Sequence, residues 1–396
     1  MKRQIAAIEF GTSKIVTVVA DNAGADRLRI AGSGTVPYDG FSGGDWNTPR
    51  QMIQKVRDSI AAAEMESGIK IRELYVGVPG EYIHVYPCEA EVEVPDGKID
   101  DSVVNAVMDA AAEYLNLSES GSMVLHRSPA WFIVDDGKKT MNPEGPGTKL
   151  RAQVSFIVAE SVFIEDVSEM LGALNISILG FLAPSLGASF LLLSIEDRDR
   201  VSVLIDCGYL NTEISVVEGD AIVYHAILPS GAGHVTAELA QNLRLTMRAA
   251  EEIKRKYVFN PDEYDRNSFV ETYDELGNRI TFPRDVISEK VEGSFEELLD
   301  MIDMTLKNDA APFLTSRSQV FLTGGGLALM RGGREHLSAK IGLPVKTAVA
   351  KTSELTSPVF SSALGLADLV FDSIEQNQPV EESVGGKLRN LFKGKK

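Results

Sequence analysis

Two short turns carry the residue types from which a phosphate site could be built. Near the start, Glu9, Gly11, Thr12, Ser13 and Lys14 lie between two apolar runs in QIAAIEFGTSKIVTVVAD. Midway, VSVLIDCGYLNTEISVVE repeats the arrangement, with Asp206, Gly208 and Thr212 at the turn. In each, an acid and a glycine occupy a tight turn between two strands, so backbone N–H groups from both turns could reach one phosphate held between them. Two such hairpins in one chain imply two related halves. Three later stretches add to the set. Gly231 and Gly233 precede a helical region, Glu251 and Lys254 lie one helical turn apart in AAEEIKRKY, and Gly324, Gly325 and Gly326 follow the strand-like QVFLT. Cys88, Cys207 and His234 make no metal-ligand spacing and read as structural.

The intervening pattern supplies elements to hold these turns. Strands are expected at about 4–10, 13–20 and 28–36, an amphipathic helix at 47–66 and a strand at 74–78. From 81 to 160 the character changes to strand, helix (100–117), strand, a Gly/Pro-rich loop and strand, which reads as a small α+β unit inserted into the first half. Helices at 161–174 and 184–193 lead to the second hairpin. A strand at 221–227, a helical region to 257, a hairpin in ETYDELGNRITF, a long helix at 283–308 and a last helix at 353–372 follow.

Composition narrows the class. The chain has 396 residues, long for one core, and 44% of them are hydrophobic, which rules out global disorder. No apolar run is long enough to span a bilayer, and the N-terminus enters a strand at once, so a cytosolic protein without signal peptide is expected. The net charge of −18 argues against nucleic-acid binding. The last ten residues, KLRNLFKGKK, oppose that trend: five are basic and none acidic, leaving 34 cations against 57 acids elsewhere, a balance of −23. Leu388, Leu391 and Phe392 share one helical face, flanked by Lys387, Arg389 and Lys393, an interfacial pattern. Burying them gains roughly 5–8 kcal/mol and each cation near anionic lipid about 1 kcal/mol more. Ordering ten residues costs about 1–2 kcal/mol each, so one tail holds weakly and many tails on one object would hold well. A basic solubilising end is the plainer alternative. The linker at 374–386, with Pro379 and two glycines, suits a tether.

Two phosphate hairpins, a Glu-x-x-Lys helix and a strand-GGG turn, in this order, resemble the actin-like ATPase superfamily. Within it the phrases GTSKI at 11, VGVPGEY at 76, VLHRSPAWFIVDDG at 124, AEEIKRKY at 250 and SPVFSSALGL at 357 look like the bacterial cell-division family FtsA, as do the insertion and the tail. The resemblance implies a two-domain actin-like (ribonuclease H-like) α/β fold with an inserted α+β subdomain. Its parts would be 1–80 with 161–195 (first domain), 81–160 (insert), 196–255 with 320–373 (second domain) and 256–319 (second subdomain), then linker 374–386 and tail 387–396.

The same resemblance implies ATP and Mg²⁺ as cofactors. Gly11, Thr12, Ser13 and Lys14 would meet the β- and γ-phosphates, and Glu9 and Asp206 would face Mg²⁺ through water, although a carboxylate capping a turn amide explains Glu9 equally simply. Gly324–326 would pass beneath the adenosine, and Glu251 and Lys254 would reach ribose and base, or form a solvated ion pair. Gly231 and Gly233 would add amides or merely cap a helix. The chain departs from the family where Asp-x-Gly-Gly-Gly-Thr-Thr-Asp is usual: Tyr209, Leu210, Asn211 and Glu213 stand there, keeping Asp206, Gly208 and Thr212. Ala183 stands where active ATPases orient a water, so at most weak ATP hydrolysis is expected and no catalytic residue is assigned. Implied partners are the FtsZ C-terminal peptide (near 255–320, where Arg279 and Arg284 would suit an acidic ligand), copies of itself in a filament, anionic membrane lipid, and later division proteins through the insert. The location would be the cytoplasmic face of the membrane at the division site. The rival readings are a PilM-like soluble scaffold and a sugar or acid kinase.

Overall fold

The early apolar alternation forms three antiparallel strands, Gln4–Phe10, Lys14–Asn22 and Leu28–Pro37. Glu73–Gly77 and Ser177–Leu182 add in parallel on the other side of the first strand. Numbered by position in the chain, this sheet runs 3-2-1-4-5. The second half repeats the order with Ala221–Leu228, Thr212–Glu218, Ser202–Cys207, Gln319–Thr323 and Val345–Thr347. The shared topology is what the two similar turns implied. In this computed structural model residues 4–22, 28–115, 122–259, 268–274, 276–352 and 354–376 are described; the tail expected at 387–396, and the linker before it from 377 on, lie outside them.

Burial explains the helices. Pro49–Ser67 turns Met52, Val56, Ile60 and Ala63 onto the first sheet, and Ser59 Oγ donates to Gly34 O at 2.9 Å. Pro184–Leu192 and Ser361–Gln376 cross on the other face so closely that a Cβ at Gly187 would lie 2.2 Å from Gly365 O. The last helix begins at Ser361, later than the expected 353, because Pro358–Phe360 forms a separate 3-10 turn. Two strands of the five-stranded sheets were not expected: Ser177–Leu182 is short and sits between helices, and Val345–Thr347 has three residues, too few to show alternation.

The insertion is a three-stranded antiparallel sheet, ordered Ile83–Glu93, Lys149–Ala159, Met123–Val134, backed by the helix Asp101–Glu113. That helix starts where Asp100 accepts from the Ser102 and Val103 amides at 2.9 and 3.4 Å. Val107, Met108, Leu150, Val154 and Phe156 give it a core of its own. It also rests on the second half: Ser155 Oγ donates to Ile222 O at 2.5 Å, Asp220 N to Pro129 O at 3.2 Å, and Trp131 packs into the second-half core. Gly219, at φ +58°, makes the contact; a Cβ there would lie 2.1 Å from Ala130 O. The hairpin Phe269–Tyr273 with Arg279–Pro283 and the helix Arg284–Lys307 form beyond the second hairpin, as the pattern suggested. Among the described residues no helix is long and apolar enough to cross a membrane.

Candidate functional site

The first strand of each sheet ends at a shared cleft, bringing Glu9 and Asp206 toward one another. The hairpins touch directly: Leu210 N donates to Thr12 Oγ1 at 3.1 Å. Asn211 Nδ2 donates to Glu81 Oε1 at 2.9 Å, at the start of the insertion.

Positive charge is scarce here. Burial pushes the Glu9 carboxyl up to about 7, Lys14 opposes the rise, and Asp206 and Glu213 add to it. Asp206 is pushed up to about 6, by burial first and then by Glu213, against the Ser362 hydroxyl, which donates to its Oδ2 at 3.1 Å, and Lys14. Glu213 lies opposite Asp206 in the hairpin register and meets His225 Nε2 at 2.7 Å. Lys14 Nζ stands 5.9 Å above the Phe360 ring. Cation binding would bring both carboxyls down, so the chemistry fits a divalent ion. Among the described residues no three His, Cys, Asp or Glu side chains converge to hold a metal alone. Such an ion would take further ligands from water and phosphate.

The triple glycine owes its composition to the protein's own chain. Gly324 has φ +90°, and a Cβ there would meet Asp206 Oδ1 at 2.2 Å; at Gly326 it would meet Cys207 Sγ at 2.6 Å, and at Gly325 Val359 at 2.8 Å. Gly326 N also donates to Cys207 O at 2.8 Å. Gly324 and Gly326 thus give clearance to the second hairpin, and Gly325 to Val359.

Glu251 and Lys254 pair with one another. On the helix Met247–Lys256 the Lys254 side chain is only 5% exposed and turns inward, donating Nζ to Ala232 O at 2.7 Å and Thr236 Oγ1 at 2.8 Å while pairing with Glu251 at 2.7 Å. Burial lowers its pKa. Glu251, although burial opposes it, is held below the usual carboxylate range by Lys254, Thr236 and Arg255. The pair is thus a mostly buried strut rather than a solvated ion pair, with Glu251 the more exposed of the two.

Gly231 and Gly233 open the helix Ala232–Leu243, whose first amides go to the second hairpin: Ala232 N donates to Gly208 O at 3.1 Å and Gly233 N to Tyr209 O at 2.6 Å. Thr212, buried, donates to Ser230 O at 2.8 Å. Ala183 N donates to Nε2 of His126, which burial pushes down to about 3 and so keeps neutral. Residue-by-residue reading missed the charge roles of Glu213, Glu81 and Ser362. The register opposite Asp206 would have pointed to Glu213; no local signal marks the other two.

A family model described as Cell division protein FtsA matches residues 203–365, and one described as SHS2 domain inserted in FTSA matches 80–158. The chain is 23% identical to the cell division protein FtsA of Pseudomonas aeruginosa over 97% of this chain and 93% of that protein. Among solved structures it is similar to a PilM–PilN type IV pilus biogenesis complex (18% identity, TM-score 0.63, covering 92% of this chain and 97% of that one). It is also similar to MreB 5 of Spiroplasma citri bound to AMPPNP (14% identity, TM-score 0.50, covering 94% and 98%). With the insertion and the second half each matched by a model of one family, and likeness to that family running almost end to end, the chain belongs to the FtsA family of actin-like cell-division proteins.

Proposed function

We propose that this protein tethers FtsZ filaments to the cytoplasmic face of the membrane at the division site, assembling into filaments of its own with ATP and Mg²⁺ in the cleft. The observation that carries the reading is the pairing of FtsA-type insertion and FtsA-type second half in one chain. The raised carboxyls of Glu9 and Asp206 beside Lys14 supply a place for a cation and phosphates. Gly11, Thr12, Ser13, Lys14, Gly208 and Thr212 lie around it, and the bound ion would neutralise phosphate charge. The protein's own groups would orient the polyphosphate and hold the halves together around it. Attachment would rest on Leu388, Leu391 and Phe392, and the FtsZ peptide would dock on the subdomain at 256–319, with Arg279 and Arg284 as candidate contacts. Later division proteins would meet the insertion.

The test is co-sedimentation with anionic liposomes, with and without ATP, comparing the full chain with one ending at Gly386. Binding that needs ATP and is lost on truncation supports the reading. If both forms stay in solution, tail tethering is wrong. Recruitment of FtsZ to those vesicles is the second readout, and recruitment unchanged in Arg284→Glu would remove that residue from the interface. The likeness to the PilM–PilN complex, at 18% identity, concerns the fold alone.

A further inference from the structure

The second hairpin has a side chain where related loops carry glycine, and the fold has made room for it. Tyr209 is half-buried against the start of the helix Ala232–Leu243. A Cβ on Gly233 would lie 2.8 Å from its Cε1 and 2.9 Å from its Cδ1, and a Cβ on Gly231 would lie 2.6 Å from its carbonyl oxygen. Gly233 is therefore matched to the Tyr209 ring, and Gly231 to the backbone at 208–209. On the other side, Lys254 Nζ points at the ring from 5.7 Å, and Glu251 and Arg255 are near enough to act electrostatically on its hydroxyl. The ring thus fills the space between the Gly231–Gly233 turn and the Glu251–Lys254 strut.

The backbone around it is equally engaged. Helix N-terminal amides are ready anion donors when they are free. Here the Ala232 and Gly233 amides are bonded to Gly208 and Tyr209 carbonyls, and Gly231 N donates to His234 Nδ1 at 3.1 Å. The Leu210 amide is taken up by Thr12 across the cleft. Four amides at this end of the second half, those of Leu210, Gly231, Ala232 and Gly233, are therefore already bonded within the protein.

We propose that Tyr209 is an internal occupant of the cleft between the Gly231–Gly233 turn and the Glu251–Lys254 pair, and that a nucleoside polyphosphate binds only by displacing its ring and the Leu210–Thr12 hydrogen bond. Tyr209 is then an affinity-setting residue: the halves close on one another without nucleotide, and each bound nucleotide must outcompete an intramolecular contact. This inference rests on the nucleotide reading above.

The experiment compares wild type, Tyr209→Gly, Tyr209→Phe and Gly233→Ala in full-length chains. ATP–Mg²⁺ affinity is measured by titration calorimetry, and amide hydrogen exchange is followed without nucleotide. Tyr209→Gly should bind ATP at least about ten-fold more tightly and exchange the Leu210 and Gly233 amides at least about ten-fold faster. Tyr209→Phe should match wild type. Gly233→Ala, which retains the tyrosine but crowds both its ring and its carbonyl, should also raise ATP affinity, and it serves if the glycine variant does not fold. Equal or weaker ATP binding in both Tyr209→Gly and Gly233→Ala, with folded protein, overturns the proposal. If no form binds ATP, it is the nucleotide reading that falls, and faster exchange in Tyr209→Gly would still support the ring as the cleft's occupant.

Discussion

Glu9→Gln should stabilise the nucleotide-free protein at alkaline pH and leave it almost unchanged in acid. In the folded chain the carboxyl titrates near 7, against 4.5 for an ordinary glutamate, because it is buried beside Asp206 and Glu213 with only Lys14 in its favour. Raising a carboxyl by that much costs folding about 3 kcal/mol once it is ionised. Glu9 keeps part of its surface open to the cleft, and screening trims the figure to about 2 kcal/mol. The sign follows from which state ionises first. Below pH 4.5 both folded and unfolded chains hold the proton. Between 4.5 and 7 the unfolded chain gives it up while the folded one retains it, so stability falls as pH rises; above 7 the loss is constant. Glutamine does not titrate and escapes this. Thermal melts without nucleotide or Mg²⁺ should therefore separate by roughly 2–3 °C at pH 8, with the variant higher, and nearly coincide at pH 4.5. A variant that melts at or below wild type at pH 8, or a gap of equal size at both pH values, would refute the electrostatic account of the cleft.

Three further outcomes follow from the geometry. Thr12→Ala removes the acceptor for Leu210 N and should cost about 1 kcal/mol in denaturant unfolding; no loss would mean that the cross-cleft bond does not form in solution. His126→Gln keeps an acceptor for the Ala183 amide but removes a ring whose folded value lies near 3. Because the unfolded histidine takes a proton that the buried one refuses, wild type should lose about 2 kcal/mol between pH 7 and 5 through this group, and a variant with the same acid slope would count against it. Gly219→Ala forces a Cβ into Ala130 O at a positive φ and should cost about 2–3 kcal/mol, with proteolysis of the insertion accelerated; an unaltered digestion pattern would show that the contact is dispensable.

The two-halved architecture was legible because it is written locally. A hairpin with an acid and a glycine at its turn appears twice, and each needs only neighbouring residues to form. The insertion was legible for the same reason, as a change of rhythm between 81 and 160. The site was legible only in its outline. Its turns could be located, but the direction of Lys254 depends on Ala232 and Thr236, which approach from a different helix. The need for glycine at 324 and 326 depends on Asp206 and Cys207, more than a hundred residues earlier. Tyr209 looked like an eroded motif because its seat, Gly233, lies beyond two intervening strands. Three-residue strands such as Val345–Thr347 leave too little pattern to read.

The insertion belongs to the first half by sequence yet leans on the second through Ser155, Pro129 and Ala130. Two bodies joined at one hinge can swing freely, but a third body fastened to both closes the loop and ties their opening to its own position. If the cleft is to gape, the insertion must either tilt or let go of the Gly219 turn. A force applied to the insertion is then felt as torque on the hairpins, and a ligand that locks the hairpins fixes the tilt of the insertion.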